Sequence, residues 1–282
     1  MLFNSFEFAI FFVIVFALYW FAFSKKLHLQ NGLLLAAGYV FYSWWDWRFL
    51  FLLLLSTLID YFFGLAIHET GSQKKKKLFL WLSVINNLGI LGFFKYYNFF
   101  SGSAILFFNH FGFHIHPFYL NIVLPLGISF YTFHGMSYVF DIYRGKIKPT
   151  RNFIDYSVFV CFFPLLIAGP IERATHLLPQ VQKKRIFNYN QASLGMRLIL
   201  WGLFKKIVIA DPLSSVVDHI FKNATSQSGF ALCIGAIYFA IQIYCDFSGY
   251  TDMTRGIARL LGFELLLNFR FPYFSRDTSF PQ

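Results

Sequence analysis

The chain has 282 residues, of which 57% are hydrophobic and 22% aromatic, while only 13% carry a charge. A soluble domain carries about 25% charged residues, so this composition excludes an ordinary soluble globule and points to an integral membrane protein. The net charge of +11 does not imply nucleic acid. The Lys and Arg residues fall in short blocks between apolar runs, the positive-inside pattern, and form no basic face on a soluble module.

The first apolar run, 6–23, is long enough to cross a bilayer. It has no basic n-region and no small-residue cleavage site, and therefore reads as a retained helix and not a signal peptide. Further spans are predicted at 49–67, 78–97, 120–140, 194–210 and 229–244. Shorter apolar pieces at 33–42, 104–113, 153–168 and 257–263 are expected to be tilted, re-entrant or interfacial. Irregular backbone at membrane depth is tolerated only where protein or a water-filled cavity shields it.

Four basic blocks set an orientation: Lys25 and Lys26; Lys74 to Lys77; Arg144, Lys146, Lys148 and Arg151; and Lys183, Lys184 and Arg185. All four can face the cytoplasm if the first helix enters from outside, the piece at 33–42 crosses and the piece at 104–113 does not. Trp44, Trp45 and Trp47, beside Asp46 and Arg48, fit an interfacial aromatic belt. There is no internal repeat and no interdomain linker, so a single membrane domain over 1–282 is expected. Cys161, Cys233 and Cys245 lie within or at the edge of apolar runs, without metal-ligand spacing or a disulfide framework.

The most informative polar run is Cys245-Asp246-Phe247-Ser248-Gly249-Tyr250-Thr251-Asp252, set directly after an apolar segment. It holds two carboxylates and three hydroxyls, and no charge offsets them in sequence until Arg255. Polar groups at membrane depth are costly and mark function by default, although a helix–helix contact or a surface turn would also account for them. His134, deep in another apolar segment, reads either as a base, relay or substrate ligand or as a neutral imidazole bonded to a neighbouring helix.

His110, His114 and His116 have spacing compatible with zinc, but phenylalanines and Pro117 surround them and no carboxylate or cysteine lies close by. An interfacial turn is the better reading, and no metal is expected. Pro164, Gly169 and Pro170 break the helix ladder next to Glu172 and Arg173, which read as a loop pair exposed to solvent. No Walker-type loop, GxSxG elbow or GxGxxG motif is present.

Several stretches in order resemble the membrane-bound O-acyltransferase family, in its bacterial alginate O-acetylase-like branch. They are Met1–Ser5, Phe94–Phe100, Leu124–Phe133, Leu166–Ile171, Gly202-Leu203-Phe204-Lys205-Lys206, Gln242–Asp252 and Asn268–Tyr273. The resemblance implies an all-α, polytopic membrane helix bundle around a central tunnel. It implies transfer of an acyl group, acetyl in this branch, from a thioester donor (acetyl-CoA or an acyl carrier) to a hydroxyl of an exported polysaccharide.

Partner acetyltransferases at the outer face and an inner-membrane location are implied as well, with no bound cofactor. The family's general base is a histidine, whose pKa suits proton transfer near neutral pH. In the family it follows the Pro272-Tyr273-Phe274-Ser275-Arg276 stretch, and a second functional histidine lies further on. No histidine of this chain takes either place, His134 included, so both are expected beyond Gln282 and no catalytic residue is assigned within the sequence. The chain is therefore expected to be an N-terminal portion of a longer enzyme, or the product of a truncated gene, holding tunnel wall and not the catalytic centre. Asp246, Ser248, Tyr250 and Asp252 are the candidates for that wall, with His134 and Asn268 as further tunnel candidates. A secondary transporter, a non-catalytic membrane scaffold, and D-alanyl transfer to teichoic-acid-type polymers stand as the alternatives.

Overall fold

A computed structural model describes residues 1–112, 120, 123–268 and 273. The described residues form helices and no strands. In chain order these are α1 (Phe6–Ala17), α2 (Leu27–Ser43), α3 (Arg48–Glu69), α4 (Gln73–His110), α5 (Ile128–Tyr143) and α6 (Phe153–Cys161). They continue with α7 (Phe163–Ile167), α8 (Ala174–Gln182), α9 (Tyr189–Leu203), α10 (Asp211–Lys222) and α11 (Gly229–Leu260). Two stretches are wound as π-helix: Leu18–Ala22 extends α1, and Phe204–Ala210 joins α9 to α10.

Among the described residues, three helices are long and apolar enough to cross a membrane: α3, α4 and α11. The stretch Phe6–Ala22 is apolar but shorter. Several expected boundaries move. The separate pieces at 78–97 and 104–113 are one 38-residue helix, α4, because no proline or cap interrupts them. The run at 229–244 does not end where its polar residues begin. It continues for 32 residues to Leu260 and absorbs both the polar run and most of the piece at 257–263. At about 1.5 Å per residue that helix is about 48 Å long, more than the roughly 30 Å of hydrocarbon it could cross.

The expected span at 120–140 is helical only from Ile128, because Gly127 precedes it in the left-handed region (φ 71°). The piece at 153–168 splits into α6 and α7 at Phe162, just ahead of Pro164.

The contacts divide the chain into two compact units. One contains α2 to α8, from Lys26–Ile167 and Arg173–Lys184. Its core is tied by a buried carboxylate: Asp60 of α3 accepts from Ser83 Oγ at 2.6 Å and from Asn87 Nδ2 at 2.8 Å, both on α4. Gly135 of α5 leaves room for that carboxylate, whose oxygen would meet any added Cβ. The buried Asn31 of α2 reaches Asp155 Oδ1 at 2.8 Å and the Val181 carbonyl at 3.1 Å. Outside the spans, Asp46 is held by Arg48 (2.6 Å), and the hydrogen bonds from that guanidinium keep its carboxyl below the ordinary value.

The other unit contains Met1–Lys25, Ala168–Glu172 and the chain from Arg185 onward, and so α1, α9, α10 and α11. Side-chain caps start its helices: Ser5 Oγ accepts from Phe8 N in α1, Asn188 Oδ1 from Gln191 N in α9, and Ser228 Oγ from Ala231 N in α11. The end of α11 is closed by Gly262 at φ 85°, with Phe263 N bonded to the Ala258 carbonyl and Gly262 N to the Arg259 carbonyl. Only glycine takes that backbone without strain. Tyr19 Oη and Trp20 Nε1 then donate to the carbonyls of Leu261 and Leu260, at 3.0 and 2.9 Å. These aromatic donors satisfy acceptors that a helix end leaves without an intrahelical partner.

Candidate functional site

The site grows from the way α9 meets α11 within this unit. Four glycines sit in two antiparallel pairs, Gly195 against Gly256 and Gly202 against Gly249. A Cβ on Gly202 would lie 2.5 Å from the Gly249 carbonyl oxygen, and one on Gly249 would lie 2.9 Å from that of Gly202. Both pairs are spaced seven residues apart, two helical turns, so the helices touch backbone to backbone along one seam. Small residues at a crossing are how membrane helices approach this closely.

Directly after this seam the backbone winds more widely, through Phe204–Ala210. The adjacent Lys205 and Lys206 project to opposite flanks of α11. On one flank, Lys205 Nζ lies 2.7 Å from Ser248 Oγ and 2.7 Å from Asp252 Oδ2. On the other, Lys206 Nζ lies 2.6 Å from Asp246 Oδ1 and 2.8 Å from Asp211 Oδ1. Ser248 and Asp252 are one turn apart on α11, as are Asp246 and Tyr250, which is why each lysine meets one pair. The Lys206 ammonium also sits 5.4 Å from the Tyr250 ring centre.

The polar run is therefore neutralised across space, although nothing near it in sequence offsets it before Arg255. Three cations (Lys205, Lys206, Arg255) meet three carboxylates (Asp211, Asp246, Asp252). The Asp252 side chain is 13% exposed and that of Asp246 is 45% exposed, so only the Lys205 flank is shielded from solvent.

That shielded flank opens onto a cavity of about 370 Å³. Lys205, Ser248, Asp252 and Arg255 supply its polar wall, and Trp201 and Tyr244 face the ammonium of Lys205 at 5.4 and 5.7 Å. An apolar cavity with a few convergent polar groups is the usual form of a small-molecule site. Chemically, the arrangement offers a fixed cation and hydroxyl groups. Such groups bind and orient.

Of the candidates taken from sequence, Ser248 and Asp252 line this cavity, while Asp246 and Tyr250 stand on the opposite flank with Lys206. Asn268 is half-buried just past the lining residue Leu267. His134 belongs to the other unit, on α5, where it is 1% exposed with its ring 5.6 Å from that of Phe159. Lys205, Lys206, Arg255 and Trp201 are not among those candidates. The adjacent lysines straight after an apolar run are the available signal, since a cation there needs an acidic partner.

Glu172 is a correction: it is fully buried, and its Oε1 accepts from Leu266 N at 2.6 Å, fastening the segment after α11. Arg173, its neighbour, stays exposed. Among the described residues no three His, Cys, Asp or Glu side chains gather as for a metal ion. His114 and His116 lie outside the described residues. Gln282 lies outside them too, so the expectation that the family's histidines follow it meets no structural observation here.

No family model matches the chain. Individual relatives do. The chain is 42% identical over 250 residues to the "Probable alginate O-acetylase AlgI" of Pseudomonas putida, a match covering 88% of this chain and 51% of the relative. It is 36% identical over 279 residues to the peptidoglycan O-acetyltransferase of Helicobacter pylori, covering 89% and 52%.

The chain belongs to the membrane-bound O-acyltransferase family, in its alginate O-acetylase-like branch. Similarity to the teichoic acid D-alanyltransferase of Streptococcus thermophilus is lower, 28% over 158 residues, covering 54% of this chain and 38% of that one. The acyltransferase chain spans about half the length of the curated relatives it matches. Its family membership agrees with its apolar spanning helices.

Proposed function

We propose that this chain is part of a membrane O-acyltransferase that moves an acetyl group from a thioester donor to hydroxyl groups of a cell-surface or exported polysaccharide. In that reaction the sugar oxygen bonds to the acetyl carbon, the carbon–sulfur bond breaks, and the hydroxyl proton ends on the released thiol. Acetyl-CoA or an acyl carrier would be the donor, and acetyltransferases outside the membrane would be partners that complete the transfer. The protein would sit in the inner membrane with its N-terminus outside, so that the basic blocks, Lys74 to Lys77 among them, face the cytoplasm.

The observation that carries this reading is the match to two O-acetyltransferases over almost nine-tenths of the chain. The cavity beside Lys205 supports it, because it gives a reacting group a shielded polar surface inside a membrane unit. D-alanyl transfer has weaker support, since its relative matches little more than half of the chain.

A chimera tests the reading. Residues 1–282 replace the aligned half of the P. putida protein in a strain lacking that protein, and ester-linked acetate on the exported polymer is measured. Restored acetate is the expected result. A membrane-inserted chimera that adds no acetate overturns the proposal, and ester-linked D-alanine in its place would favour the alternative.

A further inference from the structure

We propose that the cavity beside Lys205 is a binding site for a small anionic group, a carboxylate or a phosphate, held chiefly by Arg255. This deepens the acyltransferase reading and rests on it for the identity of the ligand.

The first observation is a local imbalance of charge. The six charged groups around α11 are neutral as a set but unevenly divided. The exposed flank has Lys206 against Asp246 and Asp211, while the cavity flank has Lys205 and Arg255 against Asp252 alone. Asp252 is already committed: its Oδ2 takes a hydrogen bond from Lys205 at 2.7 Å. Arg255 reaches its other oxygen only at 3.7 Å, beyond hydrogen-bonding distance.

The second observation concerns the guanidinium itself. Arg255 Nε is buried and has no hydrogen-bond partner. Both members of the Arg255–Asp252 pair are only 13% exposed. A buried donor left unmade is costly, the more so on a charged group. Arg259 follows one turn later on the same helix and adds a like charge. A guanidinium presents a planar fork of donors that matches carboxylate and phosphate oxygens, and here part of that fork is unused.

The third observation is space. About 370 Å³ exceeds what one water molecule fills and falls within the range of small-molecule pockets. The Trp201 and Tyr244 rings offer an apolar face next to the cations. An anionic oxygen could come from either substrate: a sugar carboxylate of an acidic polysaccharide, or a phosphate of the donor thioester.

The test uses the full chain, purified in lipid nanodiscs, with D-glucuronate and inorganic phosphate as separate probes at constant ionic strength. Tryptophan fluorescence and the thermal midpoint are followed, and glucose serves as the neutral control. The expected result is a saturable response to one anion and none to glucose. Affinity falls at least tenfold in Arg255→Gln and less in Arg255→Lys.

A response to glucuronate assigns the site to the sugar, and one to phosphate assigns it to the donor. Leu267→Trp narrows the cavity from an exposed position, leaves every charge in place, and should weaken binding as well. No saturable response to either anion, or an unchanged response in both Arg255→Gln and Leu267→Trp, overturns the proposal. An active acetylating chimera with no anion response would sink this inference alone. Anion binding with an inactive chimera would sink the acyltransferase reading and leave the anion site standing.

Discussion

Asp246 and Asp252 lie six residues apart in one helix, yet their surroundings predict different responses to the same change. Asp252→Asn removes the charge partner of a lysine that is 8% exposed, leaving a buried cation with a hydroxyl and an amide. Breaking a shielded pair from one side costs on the order of 3 kcal/mol. Asp246→Asn acts on a carboxylate that is 45% exposed, and Lys206 keeps Asp211 as a partner. Its cost is about 1 kcal/mol or less. Thermal unfolding of the two variants in the same lipid should separate them clearly, and equal losses would contradict the division into two flanks.

Glu172 belongs at the same scale. Glu172→Ala strips the acceptor from the Leu266 amide, a loss of roughly 1–3 kcal/mol. Limited proteolysis should then cut between 262 and 268 faster than in the parent chain.

At the scale of elements, the seam between α9 and α11 makes a contrast within one residue type. Gly202→Ala pushes a methyl group to 2.5 Å from the Gly249 carbonyl oxygen, so the helices must separate. Overpacking of this kind costs about 1–3 kcal/mol, and it would also pull Lys205 from Asp252. Gly92→Ala, in α4 with nothing within 4 Å of the added carbon, should be neutral or slightly stabilising, because alanine favours helix. Thermal midpoints measured side by side decide the matter.

Helix existence was legible from apolar run length, as α3, α4 and α11 show. Helix ends were not. Asp246, Ser248 and Asp252 look like a terminus because they interrupt hydrophobicity, but hydrophobicity does not stop a helix. A cap does, and the first cap signal after Ser228 is Gly262. The acidic half of the site was legible for the same reason it was misplaced, since polar residues stand out in an apolar chain. Its basic half was hidden by sequence distance, with Lys205 pairing 47 positions away.

For the whole molecule, the arrangement of basic blocks carries a prediction about sidedness. With Lys74 to Lys77 in the cytoplasm, a cysteine substituted for Lys75 in an otherwise cysteine-free chain should react with a membrane-impermeant thiol reagent only after the cells are permeabilised. Labelling in intact cells would reverse the orientation. The two compact units each carry their own buried carboxylate cluster, around Asp60 in one and Asp252 in the other. Each ties helices together without a continuous polar face, as polar contacts between apolar helices do.

The wide winding of Phe204–Ala210 also bears on which changes of length the chain tolerates. A π-turn behaves as a helix with one residue too many, and a lone deletion there can restore ordinary pitch. Such a deletion after Lys206 would rotate everything C-terminal to it by about 100° and carry Asp211 away from Lys206, while the glycine seam before it stayed in register. Every side chain of the charge cluster would survive the deletion, and the cluster would still come apart.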